Sequence, residues 1–304
     1  MFLHSTIQSK EDLDMNVYQM VTEKVIKQLE QGVVPWRQPW TSVRGAYNVV
    51  TGKSYSLLNT LLLAHSGKYA TFKQWTALGQ KLKPGSKSEQ IVFWKIYEKD
   101  DERIPVLRYY NVFHESQLEQ PQGDFSTVGS TGSTGSTGSA DSTDSTDSTQ
   151  LNKDDLAEQI IFDYCNRESL KVKHGSVACY NWDKDYITVP SLELFKLSNE
   201  YYSTCFHEMI HSTGATQRLH RNFSRAGYAQ EELIAELGSI YLMHRLGLEV
   251  TETFDNSVSY LNSWIEVLKR DARVLVICSG KAEKAANYVL GDDCNDSVSR
   301  ETFD

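Results

Sequence analysis

The chain has 304 residues, of which 40% are hydrophobic, 23% charged and 11% aromatic. That composition excludes a wholly disordered protein, a collagen-like fibre and a disulfide-dense miniprotein, and the length suggests about two domains. The net charge of -9 divides unevenly: residues 16–99 hold 12 Lys+Arg and 4 Asp+Glu, a balance of +8, whereas residues 123–304 hold 16 and 28, a balance of -12. A basic module joined to an acidic one is implied, with nucleic acid as a partner for the basic part.

In chain order, Val17, Met20, Val21, Val25, Ile26 and Leu29 recur at helical spacing and stop at Gly32, which predicts an amphipathic helix. A second, short helix is expected over Ser56–Ala64, with Asn59 a candidate functional residue. A third is expected over Thr71–Leu82, opened by Thr71 as N-cap and closed by Pro84-Gly85. Gln90–Tyr97 and Val106–Phe113 are rich in β-branched and aromatic residues and flank a charged turn, so they read as an antiparallel pair. From Gly129 to Thr149 the chain repeats Gly-Ser-Thr and then Asp-Ser-Thr, with nothing apolar larger than alanine. Such a segment buries too little to offset its ordering entropy, so a flexible linker is expected, spanning about 25 Å, with two halves that move nearly independently. Beyond it, a helix over Lys153–Glu168 precedes two short strands near Ser176–Tyr180 and Tyr186–Val189. Helices follow over Asn199–Thr213, Gln230–Leu246, Ser257–Leu275 and Lys281–Leu290, an α+β layout.

No run approaches the roughly 18 apolar residues that span a bilayer, so no membrane association is expected. Residues Met1 to Lys10 lack the order of a secretory signal, and the five cysteines form no C-x-x-C pair. Reduced thiols in a cytoplasmic protein fit that pattern.

The strongest chemical signal is His207-Glu208-Met209-Ile210-His211. Residues four apart share a helix face, so both imidazoles can reach one divalent ion at about 2.0–2.1 Å, the distance typical of Zn²⁺. Glu208, displaced round the helix, can act as general base on an attacking water without taking the metal. Gly214 fits the H-E-x-x-H-x-x-G-x-x-H pattern, but Gln217 stands where its third histidine belongs. The remaining source of a third ligand is Glu231-Glu232-Leu233-Ile234-Ala235-Glu236. By analogy with zinc peptidases whose third ligand is a glutamate, Glu232 would bind metal and Glu236 would orient a ligand histidine, with the reverse assignment open. Glu231 reads as a solvated residue of an acidic first turn. Asp185–Pro190 is a candidate strand for a substrate peptide to lie beside, and Tyr228, Arg218 and Arg221 are candidate oxyanion donors, none singled out by spacing.

The first half has no phosphate loop, nucleophile or metal cluster. It interleaves basic and aromatic residues, the composition of a single-stranded DNA surface where phosphates meet cations and bases stack on rings. The candidates are Trp36, Arg37, Trp40, Arg44, Lys53, Tyr55, Lys73, Trp75, Lys83 and Lys87. For the tryptophans, core packing is the alternative, and Trp36 and Trp40, set among prolines, are those expected to be exposed.

The segments Pro35-Trp36-Arg37-Gln38-Pro39-Trp40, Thr51-Gly52-Lys53-Ser54-Tyr55, Thr71-Phe72-Lys73-Gln74-Trp75 and Lys83-Pro84-Gly85-Ser86-Lys87, with Asn48, Asn59, Gly79 and Val112-Phe113, are similar in kind and order to the N-terminal domain of ArdC-type antirestriction proteins. That domain also occurs in plasmid TraC-type transfer primases. Asp185-x-Ile187-x-x-Pro190, His207-Glu208-x-x-His211 and Glu231-Glu232-Leu233-x-Ala235-Glu236 resemble the zincin-type metallopeptidase domain of the same proteins. The resemblance implies an α+β single-stranded DNA-binding domain over residues 14–120, a linker over 121–150 and a zincin-like domain over 151–304. It also implies a mobile-element protein that binds single-stranded DNA, carries Zn²⁺ and protects incoming conjugative DNA from restriction. The peptide or protein substrate stays unnamed. The alternative is a DNA-coating protein or transfer-primase accessory whose metal is structural.

Overall fold

The computed structural model describes residues 10–37, 45–99, 102–119, 153–221, 227–248 and 254–292. The linker expected over 121–150 lies outside the described residues.

The first half follows the anticipated pattern, with two strands added. Helix α1 (Lys10–Glu30) buries Val17, Val21, Val25 and Leu29, one residue per turn, and Gly32 in the left-handed region ends it. Strand β1 (Ala46–Asn48) leads to α2 (Leu57–Leu62), whose cap Ser56 accepts a hydrogen bond from the Asn59 N–H. Strand β2 (Gly67–Ala70) leads to α3 (Phe72–Ala77). Thr71 and Gln74 form a reciprocal capping box on α3. Helix α3 is shorter than the sequence suggests because Gly79 takes a left-handed conformation and turns the chain out of the helix. The long hairpin β3 (Glu89–Lys99) and β4 (Glu102–His114) completes a sheet in the order β1-β2-β4-β3, with β1 and β2 parallel and the other pairs antiparallel. Strands β1 and β2, of three and four residues, are too short to carry a periodic signal. Asn59 is structural: its side chain accepts from the Val92 N–H at 2.7 Å and donates to the Val92 carbonyl at 2.9 Å, tying α2 to β3.

The second half begins with α4 (Asp155–Glu168), then β5 (Lys171–His174), β6 (Cys179–Asn181) and β7 (Tyr186–Val189). Their order is β5-β7-β6. Strand β7, expected to offer a free edge, is therefore central and paired on both sides, and β6 is the edge strand beside the helices. Helices α5 (Ser198–Thr213), α6 (Tyr228–Arg245), α7 (Phe254–Arg270) and α8 (Arg273–Leu290) follow. The break between α7 and α8 falls at Asp271, whose carboxylate accepts from the Arg273 N–H and guanidinium. Gly280, in the gap expected between the last two helices, lies inside α8.

The halves do not behave as independent bodies. Helix α1 packs on α7 and α8, and α2 packs on α8. Residues of both halves form one apolar cluster, with Trp36 against Trp264 at 5.4 Å between ring centroids. Polar contacts add to it: Thr22 Oγ1 donates to the Ala272 carbonyl at 2.7 Å, Leu57 N–H to Glu283 at 3.3 Å, and Lys269 pairs with Glu30 at 2.6 Å. Linker composition limits only the linker. It says nothing of the apolar faces that the two halves bury against each other.

Candidate metal centre and nucleic-acid surface

Helix α5 places His207 and His211 one turn apart, and α6 crosses it closely enough to add a carboxylate. Gly238 of α6 allows this approach, since a Cβ there would lie 2.9 Å from the Ile210 side chain. The two Nε2 atoms are 3.1 Å apart, and Glu232 oxygens lie 3.6 Å from each. A tetrahedral ion bound at about 2.0–2.1 Å has ligand atoms about 3.3–3.4 Å apart, so the triangle has the right size. Among the described residues, His207, His211 and Glu232 form the one group of donors suited to a metal.

The electrostatics point the same way. Glu208, Glu231, Glu232 and Glu236 are all buried, and among them the guanidinium of Arg221 engages Glu231. Four buried carboxylates need more positive charge than Arg221 alone supplies, and a divalent cation held by the two histidines provides it. Burial pushes the Glu208 carboxyl above its ordinary value, against the pull of His207 and His211. Burial also raises Glu232 and Glu231, but their hydrogen bonds, from His207 to the first and from His211 and Arg221 to the second, outweigh it and hold both below the ordinary range. The His207 imidazole is lowered by burial, yet the Glu232 hydrogen bond and the surrounding carboxylates outweigh that and raise it.

Each imidazole presents its other nitrogen to a carboxylate: His211 Nδ1 to Glu231 at 3.3 Å and His207 Nδ1 to Glu236 at 3.9 Å. The contact at 3.3 Å holds His211 Nδ1, which turns its Nε2 to the space beside Glu232, and His207 Nε2 points into the same space. Glu231 is thus a correction to the sequence reading. It is 5% exposed rather than solvated, because Arg221 folds back onto it. The Tyr180 backbone of edge strand β6 lies close enough to Glu208 to pull its carboxyl down slightly against the effect of burial, which places that edge beside the centre. Of the oxyanion candidates, Arg221 is committed to Glu231, and Arg218 is held by Asp185, Glu168 and the Ser212 carbonyl. Tyr228 hydrogen-bonds Glu232 and is half exposed, so it alone stands at the site.

The candidate DNA residues separate by burial. Trp36 is 0%, Tyr55 5% and Trp75 3% exposed. Trp36 lies on Trp264, and Trp75 donates its indole N–H to the Phe113 carbonyl at 2.9 Å. All three are core residues and offer no open ring face, a correction that follows from the shared core and from the orientation of α3. Lys53, Lys73, Lys83 and Lys87 are exposed. Trp40 and Arg44 lie outside the described residues, as does the side chain of Arg37. The exposed ring beside Lys73 is Phe72, at the first position of α3, and Leu78 is also exposed.

Two family models match in tandem: the N-terminal domain of anti-restriction factor ArdC over residues 15–113 and a zincin-like metallopeptidase over residues 159–281. The metal-free structure of the antirestriction ArdC protein from plasmid R388 superposes with a TM-score of 0.72 at 28% identity, covering 92% of this chain and 98% of that one. The chain belongs to the ArdC-type antirestriction family. The Mn(II)-bound structure of the same R388 ArdC matches at a TM-score of 0.71. A DNA primase TraC of Escherichia coli is 31% identical over 293 residues, but this ArdC-type chain spans only 20% of that protein, and 27% of a second TraC. The protein y4eC of Sinorhizobium fredii is 28% identical, with 91% of its length covered. A zincin-like domain, a donor set of two imidazoles and a carboxylate, and a metal-bound relative together identify a divalent-metal centre in this ArdC-type chain. No helix among the described residues is long and apolar enough to cross a membrane.

Proposed function

We propose that this antirestriction-type protein binds the single-stranded DNA of a mobile element and carries a zinc-dependent peptidase centre. The observation that carries the reading is the convergence of His207, His211 and Glu232 with Glu208 buried beside them. Two imidazoles and a carboxylate in a triangle of tetrahedral size favour Zn²⁺. When bound, zinc supplies Lewis acidity toward a scissile carbonyl. Glu208 takes a proton from the attacking water and returns it to the leaving amine, and burial raises its pKa toward that task. Strand β6 pairs with β7 on one side only, so an extended peptide can add along its other edge, next to Glu208. Tyr228 is placed to donate to the developing oxyanion.

On the first half, DNA is held by exposed Lys53 and by Lys73, Lys81, Lys83 and Lys87 of α3 and the turn after it, with Phe72 as the stacking ring. The basic balance of residues 16–99 supports this. Placement in the cytoplasm, protection of conjugatively transferred DNA and a protein substrate are parts of the same proposal. The free state of Cys165, Cys179, Cys205 and Cys278 fits the first of these.

Glu208→Gln tests the enzymatic reading. It should abolish peptide hydrolysis while metal content and single-strand affinity stay at wild-type levels. Unchanged hydrolysis, or antirestriction at full strength without any, favours a DNA-coating protein whose metal braces the fold.

A further inference from the structure

We infer that Arg221 and Glu231 form a positioning pair for His211, held in place by the space that Gly214 leaves beside Trp182. The inference rests on the reading of His207, His211 and Glu232 as a divalent-metal site.

Helix α5 ends at Thr213, and the chain turns back so that the Arg221 N–H donates to the Gly214 carbonyl at 2.9 Å. The Arg221 guanidinium then serves two neighbours at once. It donates to the Ile210 carbonyl and to Thr213 Oγ1, both at 2.7 Å, satisfying groups at the end of α5. It also grips Glu231 with a fork, Nε to Oε2 at 3.0 Å and Nη2 to Oε1 at 2.7 Å. The same Oε1 faces His211 Nδ1 at 3.3 Å. A carboxylate fixed by a bidentate arginine cannot rotate away, so it keeps the proton on Nδ1 and the Nε2 lone pair turned to the metal side.

Gly214 shows that this arrangement needs space and not backbone freedom. Its φ is -74°, which any residue adopts, yet an added Cβ would lie 2.8 Å from Trp182 Cη2 and 2.9 Å from Arg221 Nη2. Trp182 also meets the His211 ring edge-on at 6.5 Å, covering the pair from above. The carboxylate four residues beyond the ligand, Glu236, stands at 3.9 Å from its histidine, longer than a hydrogen bond. The stronger orienting contact therefore comes from Glu231, immediately before the ligand Glu232.

The test is Mn²⁺ titration of the full-length, chelator-stripped protein, with melting of the metal-free forms alongside. Wild type should take up about one equivalent. Glu231→Gln should bind roughly 10–100-fold more weakly and lose more than Glu236→Gln. Because Glu231→Gln leaves Arg221 buried without its partner, the double variant Glu231→Gln/Arg221→Met decides the case if the single variant does not fold. It should melt closer to wild type than the single variant and still bind weakly. Wild-type affinity in either variant overturns the inference while leaving the metal site intact. No uptake by the wild type overturns the metal reading itself, and the inference with it.

Discussion

His207 Nε2 and His211 Nε2 face each other at 3.1 Å, and the carboxylate of Glu232, from the neighbouring helix, closes the triangle at 3.6 Å from both. Two basic nitrogens this close repel unless a proton or a cation lies between them. The buried carboxylates around them make a cation the stable occupant, and the close packing of α5 on α6 supplies the geometry.

Glu232→Ala should reduce metal retention far more than Glu236→Ala, because the first removes a donor atom and the second a distant orienting contact. Metal analysis of the two purified variants after dialysis checks this. Greater loss in Glu236→Ala would mean that the roles of the two residues are exchanged.

Gly238→Ala should separate α5 from α6, since the new methyl would meet Ile210 at 2.9 Å. Overpacking of this kind costs about 1–3 kcal/mol, and metal affinity should fall with it. Gly280→Ala is the internal control: a Cβ there has nothing within 4 Å, inside α8. It should leave stability unchanged or raise it by up to about 1 kcal/mol. Denaturant melts of both variants provide the comparison.

Trp36→Ala should lower stability by about 3–5 kcal/mol, because it opens a cavity against Trp264 in the core shared by both halves. Phe72→Ala should leave the melting temperature unchanged and weaken single-strand binding, by about 1–3 kcal/mol for one lost stacked base. A melt and a binding isotherm on each variant separate the two roles. Phe72→Ala with full affinity would move the DNA surface away from α3.

Much of this was legible in the sequence where periodicity or spacing carries it. The alternation of Val17, Val21, Val25 and Leu29 marks α1, and the four-residue interval of His207 and His211 marks the metal face. Other features depend on contacts distant in sequence. Trp36 reads as an exposed loop residue until α7 brings Trp264 to it. Glu231 reads as a solvated first-turn acid until the chain after α5 returns Arg221 to its side. Strand β7 reads as an edge because strand order is invisible in β6 and β7 taken singly. The order β5-β7-β6 makes it central. The interval of ten residues from Arg221 to Glu231 is the one sequence signal that links that pair, and intervals of this length are common.

Burial lowers the His244 imidazole from its ordinary value near 6.5 to about 4. In the unfolded chain this histidine takes up a proton as pH falls through its ordinary value, whereas in the folded chain it resists down to about pH 4. Its contribution to stability is therefore complete above the unfolded pKa and is lost as pH falls from there toward 4. The melting temperature of the metal-free protein should drop across that window, and the drop should be shallower in His244→Gln. Identical slopes would show that His244 is not the group responsible.

Anomalous diffraction from crystals grown with Zn²⁺ decides whether α5 and α6 hold the metal between them. One strong peak is expected between α5 and α6, about 2.0–2.2 Å from His207 Nε2, His211 Nε2 and a Glu232 oxygen. A peak that excludes Glu232, or no peak within bonding distance of the two histidines, would contradict that placement.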